Sequence, residues 1–208
     1  QKDKFSKQAL FSNGWKELYG DLIDWRAAQF GGKVISVDPV KKIVVTEDEE
    51  VQADVLNYIP NQKASQLAFD SGLVADGKDW CDIHPKTFES KLVKNVHVIG
   101  DASNAAPMPK SAFSASTQGK VVALQIARML KQQEPLNPPK LANTCYSLLS
   151  PNYGISIAAV YNALDDKIQN VDGAGGVSPE TDPDGHIRIL EAKYAYAWYE
   201  SQTADIFK

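Results

Sequence analysis

An apolar run, Val96, Val98 and Ile99, passes directly into Gly100-Asp101 and then, after a loop holding Pro107 and Pro109, into a helical periodicity over residues 111 to 130. No other stretch restricts the fold as much, because it asks for a buried strand, a tight turn and a helix in immediate succession. At Gly100 the missing Cβ lets the backbone approach a ligand closely. Asp101 then offers a carboxylate at the carboxyl end of the strand, where it can accept hydrogen bonds from polyol hydroxyls. The helix opens on Ser and Thr and carries apolar residues at Val121, Val122, Leu124, Ile126, Ala127 and Leu130. Its first-turn N–H groups and the positive end of its dipole suit an anionic partner, and Lys110 adds a full positive charge beside them. From Gly-Asp alone, an ordinary strand, turn and helix in which Asp101 caps a turn is the alternative.

The flanking sequence divides around this unit. Residues 15 to 30 have helical spacing in Leu18, Leu22, Ile23 and Trp25, with Gly31-Gly32 as the stop. Residues 33 to 37 and 43 to 46 read as strands joined by an Asp-Pro turn, and residues 53 to 58 as a third strand before Pro60, giving a small sheet. The Pro-rich stretch KQQEPLNPPK at 131 to 140 cannot continue a helix and serves as a connector. Beyond it, residues 146 to 149 and 155 to 160 have strand character, while GAGG at 173 to 176 and SPETDPDG at 178 to 185 read as loops. Residues 187 to 206 are rich in aromatic side chains and read as helical from Leu190 onward.

Composition excludes some classes of function. The chain has 208 residues, 43% of them hydrophobic, enough for one large or two small cores. A net charge of -4 supplies no basic field for nucleic acid. No apolar run approaches the ~18 residues that a membrane span needs. His84, His97 and His186 lack metal-ligand spacing, and no metal site is expected. Internal repeats and low-complexity tracts are absent.

Four segments carry a resemblance: VIGDASNAAPMPKSAFSASTQGK at 98 to 120, LNYIPNQKA at 56 to 64, WCDIHPKTFES at 80 to 90, and NTCYSLLSPNYGISIAAVY at 143 to 161. They closely resemble the flavoprotein subunits of the flavocytochrome c sulfide dehydrogenase family, and along the chain they come in the family's order. The resemblance implies an α/β fold: the carboxyl-terminal half of a two-dinucleotide-binding-domain, glutathione-reductase-like flavoprotein, with a small α+β carboxyl-terminal domain. Residues 1–48 would be a remnant of the second dinucleotide-type domain, 49–131 the returning part of the FAD domain, and 132–208 a flavin-covering or interface domain. The implied cofactor is FAD, but no G-x-G-x-x-G turn for its pyrophosphate occurs in the sequence. That half of the site is expected on a missing amino-terminal half, and the first residues, which carry no initiator Met or signal peptide, resemble the interior of the family's second domain.

The same resemblance assigns roles to residues. Cys81 matches a cysteine that forms a redox-active disulfide over the flavin, with its partner in the missing half. Gly100 and Asp101 would hold the ribitol, and Pro109, Lys110, Ser111, Ala112 and Phe113 would face the isoalloxazine. Trp198 is the closest match to an aromatic residue placed against the flavin; packing between regions is its alternative, and is the expected role of Tyr194, Tyr196 and Tyr199. Cys145 is expected to be a structural thiol, although a Cys81 to Cys145 disulfide remains open. His84 is near enough in sequence to tune a thiolate at Cys81, and it stands where relatives often have an acidic residue.

The resulting expectation is part of an FAD-dependent sulfide dehydrogenase, an oxidoreductase that takes two electrons from sulfide through a disulfide and flavin and passes them singly to a c-type cytochrome subunit. The resemblance places it in the periplasm, and the chain alone is expected to be inactive. Two alternatives stay open: a sulfide:quinone oxidoreductase-like flavoprotein, against which the tail YAYAWYESQTADIFK lacks a basic or long apolar face, and a non-catalytic docking module for a cytochrome.

Overall fold

Three long strands organise the carboxyl-terminal part of the chain: β4 (Lys140–Ser150), β5 (Tyr153–Ala163) and β6 (Ile168–Val177). They pair antiparallel in the order β4-β5-β6. The first connection is short, with Ser150 opposite Tyr153 and Pro151-Asn152 between them, so each strand has the other as its nearest neighbour in sequence and space. The computed structural model describes residues 4 to 207; the ends of the first and third expected domains, at residues 1 to 3 and 208, lie outside the described residues.

The second strand pair overturns one sequence expectation. GAGG at 173 to 176 is not a loop but part of β6, with Gly175 opposite Ala159 and Gly176 opposite Ala158. A Cβ on Gly175 would fall on the Ala158 carbonyl, and Gly173 has a φ of 74°, so these glycines let a distorted strand pair closely. The register shift between Ala159 and Tyr161 marks the same irregularity. Residues 178 to 185 do form the loop that was read there.

Helix α4 (His186–Phe207) starts earlier than its aromatic pattern suggests. The Asp182 carboxylate accepts the Arg188 N–H at 2.9 Å and thereby satisfies one donor of the first turn. The helix packs on β5, and the hydroxyls of Ser156 on β5 and Ser178 just after β6 both donate to Glu191.

Helix α1 (Gln8–Tyr19) also lies off its expected position at residues 15 to 30. Gly20, at φ 54°, ends it eleven residues before Gly31-Gly32. The misleading periodicity comes from an aromatic cluster: Trp25 lies 5.9 Å from Trp15 and 5.4 Å from Phe5, although residues 23 to 27 are not helical. Leu10 of α1, with Phe11, Trp15 and Leu18 around it, packs against Leu149 and Ile155 of the sheet.

A second antiparallel sheet has the order β1 (Val34–Asp38), β2 (Ile43–Thr46) and β3 (Glu50–Gln52). Asp38 Oδ1 accepts the N–H groups of Val40 and Lys41, which fixes the Asp-Pro turn. The third strand precedes the predicted one, because Thr46 and Glu49 close a tight reversal directly after β2 and bring residues 50 to 52 alongside it.

Residues 96 to 99 do not form the buried strand read from their composition. They are extended with one bridge, between His97 and Glu89, and Val96 and Ile99 are 37% and 40% exposed. No described strand lies alongside to complete a ladder. Parallel pairing among the described residues is limited to the bridge between Cys81 and Ser103.

After α2 (Gln66–Asp70), the next long element is α3 (Ala112–Leu130), within one residue of its reading. Its buried line runs through Ser114, Gln118, Val122 and Gln125, while Leu124 and Leu130 of the expected apolar stripe are 49% and 81% exposed. The glutamines are inside because irregular chain packs on this face and needs hydrogen-bond partners. Gln125 Oε1 accepts from Leu136 N–H, and its amide donates to the Lys86 carbonyl. Around them Phe88, Val122, Leu141 and Tyr161 form the main core. Each large apolar side chain buried there contributes roughly 1.5–3 kcal/mol.

Gly154 shows how tightly α4 meets the sheet: a Cβ there would strike the α4 backbone at Glu191 and Ala192. Gly154→Ala should lower stability by about 1–3 kcal/mol, as such overpacking does, and chemical denaturation of both proteins would measure it.

Candidate flavin site

The turn Gly100–Ala102 is a single 3₁₀ segment. Gly100 has a φ of 66°, a conformation favouring glycine, and its N–H donates to Gln118 Oε1 of α3 at 2.7 Å. The Gly100 carbonyl accepts from both the N–H and the hydroxyl of Ser103, at 3.0 and 2.8 Å. Asp101 is exposed, and its carboxylate accepts no hydrogen bond among the described residues.

Two backbone bonds fasten Cys81 to this turn. Its N–H donates to the Ala102 carbonyl at 3.0 Å, and its carbonyl accepts from Asn104 N–H at 2.8 Å. The side chain is fully enclosed, in a cluster with Ala64, Ala68, Val98 and Ala102. Burial pushes the thiol pKa up, the neighbouring Asp82 carboxylate adds to that, and the Lys110 ammonium opposes both. His84 is exposed and is not among these influences, so the tuning role expected for it passes to Asp82 and Lys110. His97 Nδ1 lies 2.8 Å from the Thr87 carbonyl, a satisfied local contact.

Lys110 is committed to the same turn. Its ammonium donates to the carbonyls of Asp101 and Ser103, at 2.6 and 2.9 Å, and lies 3.7 Å from the centre of the Trp80 ring. Burial lowers its pKa, with Asp101 and Cys81 acting in the other direction.

Pro109 is exposed on the approach to α3. Ser111 caps the helix by accepting the Ser114 N–H at 3.1 Å. The hydroxyls of Ser111 and Ser114 both donate to Asn143 Oδ1, at 2.6 and 3.1 Å, and the Thr117 hydroxyl donates to the Ala142 carbonyl. The helix start is thereby tied to β4. The N–H groups of Ala112 and Phe113 have no acceptor among the described residues.

The Phe113 ring stacks on Trp198 of α4, with centroids 5.5 Å apart and planes 14° from parallel, and Tyr146 of β4 stands 6.5 Å from the same indole. Tyr194, Tyr196 and Tyr199 are 50%, 48% and 64% exposed, so they do not supply the packing expected of them. Cys145 is half-buried on β4; it and Cys81 are both free, and the disulfide left open between them is not formed.

The chain therefore joins two groups of the sequence-read residues: Cys81, Gly100, Asp101 and Lys110 around one turn, and Ser111, Ala112, Phe113 and Trp198 at the start of α3. Gln118, Asp82 and Asn143 are site residues that sequence reasoning missed. The signal for Asn143 was a polar side chain at an inward strand position.

This arrangement has the chemistry to take the polyol chain and ring edge of a flavin. A glycine permits close approach, an unpartnered carboxylate can accept polyol hydroxyls, and two unpartnered N–H groups point from a helix start with its partial positive charge. The described residues hold no group of side chains able to bind a metal ion, and none of their helices is long and apolar enough to cross a membrane.

Comparison with family models decides the assignment. The model described as sulfide dehydrogenase [flavocytochrome c] flavoprotein chain, central, matches residues 1–60. A second, flavocytochrome c sulphide dehydrogenase, flavin-binding, matches residues 137–207. The chain belongs to the flavocytochrome c sulfide dehydrogenase flavoprotein family. The flavin-binding match supports a flavin cofactor, and the flavocytochrome family implies a cytochrome partner. Cys81 and the turn at Gly100 lie between the two matched stretches, whereas Trp198 and Asn143 lie inside the flavin-binding one.

In the reduced protein, the enclosed Cys81 thiol should titrate above the ordinary thiol range and react slowly with iodoacetamide at neutral pH. Site-resolved mass spectrometry of alkylation across pH checks this. A midpoint at or below that of free cysteine would contradict it.

Proposed function

We propose that this chain is part of an FAD-dependent sulfide dehydrogenase in which Cys81 is one half of a redox disulfide and a c-type cytochrome is the electron acceptor. The observation that carries the reading is the pair of backbone hydrogen bonds that fixes Cys81 on the Gly100 to Asn104 turn, the same turn that presents Asp101. A sulfur chemistry site and a polyol-binding carboxylate thus share one rigid piece of chain. The reading places the chain in a glutathione-reductase-like flavoprotein, with the pyrophosphate end of FAD held by an amino-terminal half, and in the periplasm, as the family resemblance implies.

Each residue has a defined task in this reading. Gly100 leaves room for the ribityl chain, and Asp101 accepts its hydroxyls. The N–H groups of Ala112 and Phe113 would stabilise negative charge on a reduced flavin ring, and Ser111 holds the helix start in place. Pro109 shapes the approach, and the Trp198 and Phe113 pair forms an aromatic wall that excludes water. When bound, FAD accepts two electrons together and releases them one at a time to a haem.

The Cys81 sulfur is enclosed by this chain's own residues, so the reading requires the cluster around it to open toward the amino-terminal half; hydrosulfide then attacks the disulfide that Cys81 makes with a cysteine of that half. A bond forms between the substrate sulfur and one cysteine sulfur as the original S–S bond breaks. One cysteine carries the persulfide, the other leaves as a thiolate, and the hydrosulfide proton passes to solvent.

The test is the visible absorption of the chain assembled with its pyrophosphate-binding half, before and after sulfide is added without oxygen. Flavin bands should bleach, and Cys81→Ser should abolish the bleaching while leaving the bands present. Asp101→Ala should weaken FAD binding roughly ten- to hundredfold, the value of one or two charge-assisted hydrogen bonds. Bands that persist under sulfide would remove sulfide as the substrate, and a colourless assembly would leave a docking role.

A further inference from the structure

Lys110 was read as a residue facing the cofactor, but its surroundings give it a different task. Its ammonium donates to the Asp101 and Ser103 carbonyls and covers the face of Trp80 at 3.7 Å. Those carbonyls flank Ala102, whose own carbonyl receives the Cys81 N–H, and Trp80 is the residue before Cys81. A single cation therefore grips both strands of the Cys81 to Ser103 bridge. No carboxylate forms an ion pair with it among the described residues, so its charge is not cancelled by a direct partner.

The charges around the sulfur are few. Asp82 and Lys110 act on Cys81 directly, and Asp101 acts on Lys110. Lys63 lies over Phe69, at the apolar side of the same cluster, 5.0 Å from the ring centre. Ala64, Ala68, Leu73, Val74 and Val98 belong to the apolar cluster that holds Cys81. Opening a disulfide at this place creates a sulfur anion in an enclosed site beside a carboxylate, and an anion so placed needs a positive charge held in fixed geometry.

We infer that Lys110 is a positioning residue for Cys81: it clamps the Trp80-Cys81 segment to the Gly100 turn and supplies the counter-charge to the sulfur. The inference rests on the reading of Cys81 as a redox thiol, but its test requires neither flavin nor sulfide. The two ideas can therefore fail separately.

The experiment follows the Cys81 ¹³Cβ chemical shift across pH in the reduced chain labelled with [3-¹³C]cysteine and carrying Cys145→Ser. Such a signal reports ionisation without requiring reagent access. Lys110→Met should lower the thiolate-to-thiol ratio about threefold at a given pH, the effect of a nearby charge partly screened by solvent. Lys110→Arg, which keeps the charge, should restore it. An unchanged Cys81 midpoint in folded Lys110→Met, or equal displacement in the Met and Arg variants, would overturn the counter-charge role. Should Lys110→Met fail to fold, the reciprocal measurement decides. Coupling acts equally on both partners, so Cys81→Ser should lower the pH at which the Lys110 ¹³Cε signal titrates, and an unmoved signal would overturn the inference.

Discussion

The geometry of the site depends on one buried amide. Gln118 sits inside the helix face that should by pattern be apolar, and its side-chain oxygen takes the N–H of Gly100. Without that acceptor the N–H of a left-handed glycine, next to a turn already bonded to itself, would face the helix unpaired, at a cost of about 1–3 kcal/mol. The same amide contacts Met108 Sδ at 3.6 Å, so one side chain sets the turn and touches the loop leading to α3. From there the order propagates: Gly100 fixes Ser103, the bridge at Ser103 fixes Cys81, and the carbonyls on either side of Ala102 fix Lys110. Irregular chain is thereby held as firmly as a sheet edge would be, with hydrogen bonds taking the place of a regular ladder.

That substitution explains which parts of the fold could be read from the sequence. Helix α3 was legible because Ser111 is a cap, its apolar spacing runs for several turns, and the Pro-rich stretch stops it. Strands β1 and β2 were legible from β-branched residues around an Asp-Pro turn. The errors share a cause. At Trp25, at residues 96 to 99 and at GAGG, local pattern does not record secondary structure, because partners elsewhere decide it. Trp25 packs on Trp15 from irregular chain, Val96 and Ile99 have no strand beside them, and the glycines of β6 are needed because β5 comes close.

The candidate site was more legible than the fold around it. Gly100, Asp101 and Lys110 surround one turn and Cys81 is stitched to it, because chemistry-bearing residues near each other in sequence needed only a short loop to meet. What could not be read was the support. Asn143 is distant in sequence from the helix start it stabilises, and its signal in one sequence is a single polar residue in a strand. The orientation of Lys110 was equally hidden, since a lysine before a helix can reach forward to a ligand or back to the turn. The backward choice follows from two carbonyls and an indole lying within its reach.

The long helix α4 illustrates how weak patterning can still be specific. Its apolar and aromatic residues are spread around its circumference, and its three tyrosines are about half exposed or more, so apolar burial alone would not fix its rotation. Directional contacts do so instead. The Arg188 N–H is held at the start by the Asp182 carboxylate, Glu191 by the hydroxyls of Ser156 on β5 and Ser178 just after β6, and Trp198 by the stack on Phe113. The first two contacts act through the β5 hairpin and the loop after β6; the third joins α4 directly to the first turn of α3. Rotating α4 to bury its tyrosines would therefore break a cap, leave a carboxylate without its donors and separate the ring pair. The orientation that leaves the tyrosines exposed is the one that stacks an indole on the Phe113 ring at the start of α3.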